Sequence, residues 1–472
     1  MNEPSLWGIA ALAVQVGALA WIWRSQRDPL GSIGPALVAL LVLYHAGPTV
    51  LGWLSDRPKL AYRGLTEEHL DLAQVGGTLA LAAIVAGYMG WRRLRRTNVI
   101  EATSPPAVST SVVSAAAWTL LAGATVAATA AAGSFNIRSA GEPEFRTLRS
   151  QVLYYMMYPA IAMAGVHCTV LFFRSRRRWV FRLPLLLAVA VVALSGRRLL
   201  VFVVAISMIA ALPGYVRAGL GKRFLAAGLL ATVLLSIWIV SLRVYTGGRT
   251  RVIEAEPYGS SGGLAPVVRT YWEFIQKPGA WFETERIRDD VSYRTDGQVF
   301  LAQVMAGQSE GQGALGGECL YGGAMYVVPS LLWPDKTRRG LEYCEDRSVR
   351  TYMMPPVDYT PTVIGETAAD VTAWGAIPVL LLFGILLRIF DVRLRTMSFE
   401  NRALAVCTAG QGVLVVEWGW LGLLISLRTL LILWVGIALV RIAWGKLPIS
   451  GTPLARQRAM PLRPGLGRGR AR

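Results

Sequence analysis

The stretch LAQVGGTLALAAIVAGYMGW, residues 72–91, contains no charged side chain, and the basic stretch RRLRR follows directly at residues 92–96. The hydrocarbon core of a bilayer is about 30 Å thick, so about 20 mostly apolar residues are needed to cross it as a helix. Cytoplasmic loops of membrane proteins are enriched in lysine and arginine. This part of the sequence therefore predicts a membrane-spanning helix that ends at the cytoplasmic face.

The whole chain has the composition of a membrane protein. It has 472 residues, of which 54% are hydrophobic and 16% are charged, whereas about a quarter of the residues of soluble proteins are charged. This composition excludes an ordinary soluble enzyme, a disordered chain and a small disulfide-stabilised domain. We predict an all-α integral membrane protein of about eleven transmembrane helices, which begin near Ser5, Ser32, Asp71, Ser111, Ser150, Leu183, Leu199, Phe224, Ala373, Ala403 and Thr429.

The distribution of basic residues predicts the orientation. The chain carries 48 basic and 29 acidic residues, and in a soluble protein this excess would suggest a nucleic-acid partner. Here the stretches 92–96 and 174–178 carry four arginines each, and 446–472 carries seven basic residues and no acidic one. Such clusters set membrane topology, so we expect no nucleic-acid partner. We predict that the N-terminus lies outside, that the C-terminus is cytoplasmic, and that 446–472 is a disordered basic tail.

Residues 241–371 differ from the rest of the chain. They include 13 basic and 17 acidic residues, which leaves 35 basic and 12 acidic residues elsewhere. A loop this long and this acidic is most simply extracytoplasmic, and its aromatic clusters and glycine-rich turns indicate a folded domain. We therefore divide the chain into about eight transmembrane helices in 1–241, a large extracytoplasmic loop domain in 242–372, about three transmembrane helices in 373–445 and the tail 446–472.

The cysteines and histidines restrict the chemistry. Cys319 and Cys344 both fall in the loop, where an oxidising environment would allow a disulfide that encloses 24 residues; a free thiol pair is the alternative. The four cysteines and three histidines of the chain show no zinc-type spacing, and there is no phosphate-binding loop and no nucleophile elbow. We expect no metal and no cofactor.

The turn Ser-Gly-Arg-Arg at 195–198 runs against the positive-inside rule. If both helices of the 183–217 hairpin span the membrane, Arg197 and Arg198 lie outside. One interpretation is an anion site, because the arginine fork matches phosphate oxygens. The alternative is a re-entrant hairpin or a shifted boundary, in which the arginines extend to the head groups. Three further arginines at or beyond the next helix end would add to this basic rim: Arg243, Arg249 and Arg251.

One carboxylate is predicted inside the membrane. Glu417 lies in an otherwise apolar stretch, two turns after Gln411. Intramembrane carboxylates are costly and often mark a pathway or a charged partner. Its partner could be Arg428 or an arginine of the 183–217 hairpin, and a structural ion pair and a catalytic role both remain open.

The end of the loop has a pattern that resembles a known family. Residues 329–336 read PSLLWPDK, residues 361–366 read PTVIGE, and Gly375 follows. These segments are similar to the proline- and lysine-containing segment and the Gly-Glu…Gly helix start of the O-antigen polymerases, the Wzy-type polymerases of oligosaccharide repeat units. The Ser-Gly-Arg-Arg turn, the number of helices and the position of the long outer loop are also similar, so in architecture the resemblance covers most of the chain.

The resemblance implies a glycosyltransferase of the cell envelope. Such proteins lie in the inner membrane and join lipid-linked oligosaccharide units at its outer face into O-antigen, capsule or exopolysaccharide. The growing glycan is carried on polyprenyl pyrophosphate and is transferred to a hydroxyl of the next unit. The implied partners are the lipid-linked oligosaccharide, the bilayer, a chain-length regulator and a flippase. The related O-antigen ligases use a histidine of the outer loop, and the absence of histidine from this loop favours a polymerase.

This chemistry assigns roles to charged residues. Breaking the anomeric C–O bond leaves negative charge on pyrophosphate, which fixed arginines can stabilise; the candidates are Arg197, Arg198, Arg243, Arg249 and Arg428. The acceptor hydroxyl needs a modest base, for which Glu366 is the leading candidate and Asp358 and Asp370 are rivals. The alternative for Glu366 is a carboxylate at a helix N-terminus, favoured by the helix dipole.

Two other functions remain open at this point. An O-antigen ligase or another lipid-linked-sugar glycosyltransferase would use the same donor with a different acceptor. A transporter or flippase of a lipid-linked glycan would need no transfer chemistry. Transporters of this kind are expected to show repeat symmetry and buried charge through the membrane, whereas the polar residues of this chain concentrate in one loop.

Overall fold

The structure, a computed structural model, describes residues 5–26, 28–53, 65–94, 110–131, 148–174, 198–221, 272–273, 275–277, 297–328, 344–354, 360–414, 416 and 419–446. All regular secondary structure in these residues is helical. The first helices are α1 (Leu6–Ser25), α2 (Ile33–Trp53), α3 (Glu67–Leu94), α4 (Val112–Ala131), α5 (Leu148–Arg174), α6 (Arg198–Ala211) and α7 (Gly214–Gly221). The later ones are α8 (Gly297–Ser309), α9 (Glu318–Val327), α10 (Cys344–Thr351), α11 (Thr362–Val371), α12 (Ala376–Thr396), α13 (Phe399–Leu414) and α14 (Gly419–Lys446).

The prediction of an all-helical membrane protein is confirmed in the described part of the chain. Five helices there are long and apolar enough to cross a membrane, and α6 and α7 form one further such stretch with a bend of 111°. The helix starts predicted near Ser5, Ser32 and Ser111 each lie within one residue of the observed start. The starts predicted near Leu183 and Phe224 lie outside the described residues.

The prediction was less accurate around the last two helices. α14 begins at Gly419 rather than near Thr429, and α13 ends at Leu414. Glu417, predicted to lie within an apolar helix, falls between these two helix ends and outside the described residues. Hydropathy alone does not mark this boundary because the residues on both sides of it are apolar.

The apolar helices expose the side chains expected of lipid-facing surfaces. The helices up to Leu430 form one compact unit that also includes α8 to α11 from the predicted loop, and the remainder of the chain forms a second unit. In α1 and in the second half of α14, large apolar side chains are exposed: Leu6, Trp7, Val14, Trp21, Leu431, Trp434, Val435, Leu439, Val440 and Ile442. Exposed apolar surface on this scale is typical of a surface that faces lipid.

The centre of the bundle is a close crossing of α3 and α12. A Cβ added at Gly384 would lie 2.1 Å from the carbonyl oxygen of Ile84, and one added at Gly87 would lie 2.0 Å from that of Leu381. The two helix backbones are therefore in direct contact, as small residues permit between membrane helices. α3 also packs against α1, α2 and α8, which makes it the central helix of this part of the fold.

The contacts define two ends of the bundle. At the first, which we call the loop end, α1, α3, α12 and α14 begin; there the Ser5 hydroxyl donates to Asp71 over 2.7 Å. The Gln298 side chain of α8 also donates to the carbonyl of Leu70 at this end. α8 packs on α2 and α3, while α11 packs on α8, α9 and α12. At the opposite end, α1, α3 and α12 end and α2 begins, next to Asp391.

Candidate functional site

The short helix α11 lies at the centre of the loop end. Residues 362–370 of this helix are all buried. Its two carboxylates, Glu366 and Asp370, are four residues apart, so they lie on neighbouring positions of one helix face. Each of them reaches the N-terminus of a different helix.

Glu366 occupies the N-terminus of α14. Its carboxylate accepts a hydrogen bond from the backbone N–H of Trp420 over 2.6 Å. Gly419, with φ of +49°, brings the backbone so close that an added Cβ would lie 2.2 Å from the Glu366 carboxyl carbon. The Trp420 indole N–H donates to the hydroxyl of Thr367 over 3.1 Å. A carboxylate here satisfies N–H groups that the helix leaves unpaired and interacts favourably with the helix dipole.

Asp370 does the same for α9. Its two carboxylate oxygens accept from the backbone N–H groups of Cys319 at 2.8 Å and Leu320 at 3.0 Å. The carbonyl oxygens of Ala369 and Asp370 accept from Leu315 and Gly316 just before α9. Burial raises the pKa of the Asp370 carboxyl above its ordinary value, and the hydrogen bonds from the backbone N–H groups of α9 oppose this shift.

These contacts bear on the predicted bases. Glu366 and Asp370 both accept hydrogen bonds from backbone N–H groups. The contacts of Glu366 are those of a carboxylate at a helix N-terminus, which was the alternative to a base. The helix that it caps is α14 rather than its own. Asp358, the third candidate, lies outside the described residues.

Arg428 of α14 connects α14 to the C-terminus of α9. Its guanidinium donates to the carbonyl of Val327 at the last turn of α9 over 3.1 Å and lies 5.6 Å from the ring centroid of Tyr155. Arg428 is buried, in the third turn of α14. α11 therefore holds the N-termini of both helices that Arg428 connects: α14, which carries it, and α9, whose C-terminus it caps.

The loop helices are also joined covalently. Cys319 of α9 and Cys344 of α10 form a disulfide with a Cα separation of 4.5 Å. An ion pair between Glu318 and Arg347 connects the same two helices. At the C-terminal end of α11, the Tyr352 hydroxyl donates to the carbonyl of Ala369 over 3.1 Å.

The remaining predicted anion-binding arginines are not described in this detail. Arg198 is the first residue of α6, and its side chain is not described. Arg197, Arg243, Arg249 and Arg251 lie outside the described residues. Within the described ranges, no group of three or more His, Cys, Asp and Glu side chains has the arrangement of a metal site.

An apolar recess lies beside the Glu366 contact. It adjoins α2 and α11 to α14. The residues that line it are Leu37, Val363, Phe383, Gly412, Val413, Val416, Gly419 and Leu423. The recess therefore lies next to the Gly419 backbone that Glu366 approaches.

A second polar cluster, which the sequence reasoning missed, lies at the opposite end. The Asp391 carboxylate accepts from the N–H groups of Ile33 and Gly34 and from the Tyr88 hydroxyl, at 2.7 to 3.0 Å. Arg388 and Arg395 both donate to the side-chain oxygen of Gln26, at 2.8 and 2.9 Å. Two further arginines, Arg217 and Arg402, lie within ion-pair distance of Asp28.

One signal could have revealed this cluster. Arg388, Asp391 and Arg395 follow the spacing i, i+3 and i+7, which places them on one face of the apolar helix α12. The contribution of Gln26, Arg217 and Arg402 comes from other segments and has no local signature.

The helices and their exposed apolar surfaces define the class of protein as a multi-pass α-helical membrane protein. No family model, no curated protein and no solved structure matches the chain.

Proposed function

We propose that this chain is a membrane-embedded glycosyltransferase that polymerises lipid-linked oligosaccharide repeat units at the outer face of the inner membrane. The observation that carries the proposal is the buried Arg428 at the loop end, held between α9 and α14 by the carbonyl of Val327. The disulfide between Cys319 and Cys344 supports an oxidising, extracytoplasmic location for this end. The N-terminus would then lie outside and the C-terminus in the cytoplasm.

The transfer has a simple balance of bonds. The bond between the anomeric carbon and the pyrophosphate oxygen breaks, and a bond forms between that carbon and an acceptor hydroxyl oxygen, which loses its proton. Negative charge develops on the leaving pyrophosphate. A guanidinium that the protein already holds in place stabilises such charge without reorganisation during the reaction. We assign this role to Arg428, together with the arginines proposed for the outer rim.

The carboxylates of α11 then have a positioning role. Glu366 fixes the N-terminus of α14, which carries Arg428. Asp370 fixes the N-terminus of α9, whose last carbonyl accepts a hydrogen bond from Arg428. Asp358 remains the candidate for the base that accepts the proton of the acceptor hydroxyl.

Incubation of the purified full-length protein with one lipid-linked repeat unit tests the proposal. A polymerase produces a ladder of lengthened lipid-linked products. A ligase passes the glycan to a different acceptor, and a flippase moves the lipid between leaflets without changing its length. Transfer to a different acceptor, or movement without lengthening, would replace the polymerase proposal by the corresponding alternative.

A further inference from the structure

The end of the bundle opposite the loop end contains an unusual excess of positive charge. We call Arg217, Arg388, Arg395 and Arg402 the arginine cluster. Arg217 and Arg388 are buried, and the Arg402 side chain is 14% exposed. Burial of charged groups requires compensation by opposite charge, since an uncompensated buried charge is strongly unfavourable.

The compensation among the described residues is incomplete. Asp28 contacts two arginines of the cluster, and Asp391 contacts Tyr88 beside it. Four positive charges therefore lie near two negative ones. Asp391 directs its oxygens to the N-terminus of α2 and to Tyr88. Asp28 contacts Arg217 and Arg402.

The other two arginines of the cluster use neutral acceptors. Arg388 and Arg395 donate to Gln26, and Arg395 also donates to the hydroxyl of Ser32. Glu400 lies two residues before Arg402 on α13 and interacts with Ser114 of α4. Residues two apart on a helix do not face each other, so Glu400 and Arg402 lie on different faces of α13.

One donor in the cluster points to a missing acceptor. The Nε atom of Arg402 is buried and has no hydrogen-bond partner. Its Nη2 atom donates to the carbonyl of Gly31 over 3.3 Å and lies 3.9 Å from Asp28. The Asp28 side chain is 42% exposed, so the cluster lies directly below the surface there. α1, α3 and α12 all end at this level, where the head groups of a bilayer are expected.

We propose that the arginine cluster binds a phosphate-type anion at this end of the bundle. Guanidinium groups match the geometry of phosphate oxygens and form strong charge-assisted hydrogen bonds with them. The anion is expected next to Arg402, whose Nε donor has no acceptor. Its source is either the headgroup of an anionic phospholipid or free phosphate. This site is separate from the loop end, and the proposal does not depend on the transferase activity.

Thermal unfolding of the detergent-purified full-length protein tests the proposal. The probes are phosphatidylglycerol, phosphatidylcholine and inorganic phosphate, each titrated separately. Saturable stabilisation by phosphatidylglycerol but not by the other two identifies a headgroup site, and stabilisation by inorganic phosphate identifies a free anion. Equal effects of both phospholipids together with no effect of phosphate would overturn the proposal.

Three variants sharpen this test. Arg402→Gln should weaken the apparent affinity for the stabilising probe about tenfold or more, the loss expected for one hydrogen bond to a charged group. Asp28→Asn removes negative charge from the rim and should strengthen binding, although it removes the ion pair of Arg217. Arg393→Gln, at an exposed position of α12, is the matched control and should leave the affinity unchanged.

The direction of the Asp28→Asn effect separates binding from stability. A purely structural cluster would lose stability in Arg402→Gln and Asp28→Asn without an opposite change in probe affinity. If Arg402→Gln does not fold, native mass spectrometry of the wild-type protein gives a second measurement. Retention of phosphatidylglycerol in preference to phosphatidylcholine from an equimolar mixture, or retention of added inorganic phosphate, supports the proposal. The absence of both contradicts it.

Discussion

At the scale of single residues, the acidic side chains of the loop end act on backbone groups. Glu366 and Asp370 were predicted as bases from the resemblance and from their position before a membrane helix. The sequence places both carboxylates in a mostly apolar segment, and buried carboxylates are rare and need strong partners. It does not identify their partners, Trp420 and Cys319, which are separated from them by about 50 residues of chain.

Glu366→Gln distinguishes capping from base catalysis. Glutamine keeps an oxygen that can accept from the N–H of Trp420 but loses the charge that interacts with the dipole of α14. We expect a loss of stability of about 0.3–2 kcal/mol, seen as a lower thermal midpoint, with most of the turnover retained at a temperature where the variant is folded. An unchanged thermal midpoint combined with abolished turnover would instead assign Glu366 as the base.

The raised pKa of Asp370 makes the stability of the folded protein depend on pH in a defined direction. Because its pKa is raised in the folded protein, the native state binds this proton more tightly than the unfolded state. The contribution of Asp370 to stability therefore increases as the pH falls through the raised pKa toward the ordinary value of about 4, and is lowest above the raised pKa.

Asp370→Asn removes this dependence. The wild-type protein should gain stability relative to the variant when the pH is lowered from about 7 to about 4, as measured by thermal midpoints of both proteins across that range. A constant difference between the two proteins would show that Asp370 does not titrate as described. An effect of opposite sign would show that its pKa is lowered in the folded state.

At the scale of elements, helix positions follow from hydropathy and helix ends often do not. Apolar length and flanking residues predicted the starts of α1, α2 and α4 to within one residue because these properties are local. The start of α14 depends on Gly419 and on the Glu366 carboxylate from α11. Such a contact between distant segments leaves no periodic trace in the sequence, so the helix was predicted to begin too late.

The crossing of α3 and α12 gives a test at this scale. Gly384→Ala would place a methyl group 2.1 Å from the carbonyl oxygen of Ile84, so the helices must separate. We expect a destabilisation of about 1–3 kcal/mol from this overpacking. The control is Gly90→Ala on α3, where the added Cβ meets nothing within 4 Å.

Gly90→Ala should be neutral or stabilising, since alanine favours a helix over glycine by about 1 kcal/mol. Thermal midpoints of the purified variants measure both effects. Equal midpoints for Gly384→Ala and Gly90→Ala would mean that α3 and α12 are not in backbone contact.

At the scale of the whole molecule, the arrangement of charges predicts one orientation. Ser309, exposed at the end of α8, belongs to the loop end, and Thr396, exposed at the end of α12, belongs to the opposite end. In intact cells, an impermeant thiol reagent should label Ser309→Cys and should label Thr396→Cys only after the membrane is opened. The reverse pattern would place the loop end in the cytoplasm and remove the proposed site from the outer face.

Chain lengthening by the purified protein, with Arg428→Lys as the variant, measures directly whether Arg428 stabilises the leaving pyrophosphate. Lysine keeps the positive charge but loses the planar fork. The activation free energy should therefore rise by about 1.5–3 kcal/mol, which lowers the turnover rate by about one to two decades. Arg393→Lys, at the opposite end, should turn over like the wild-type protein, with equal thermal midpoints as a check on folding. We expect a ladder from the wild-type protein that shortens in Arg428→Lys, whereas full turnover in both Arg428→Lys and Arg428→Ala would show that Arg428 has no role in the transfer.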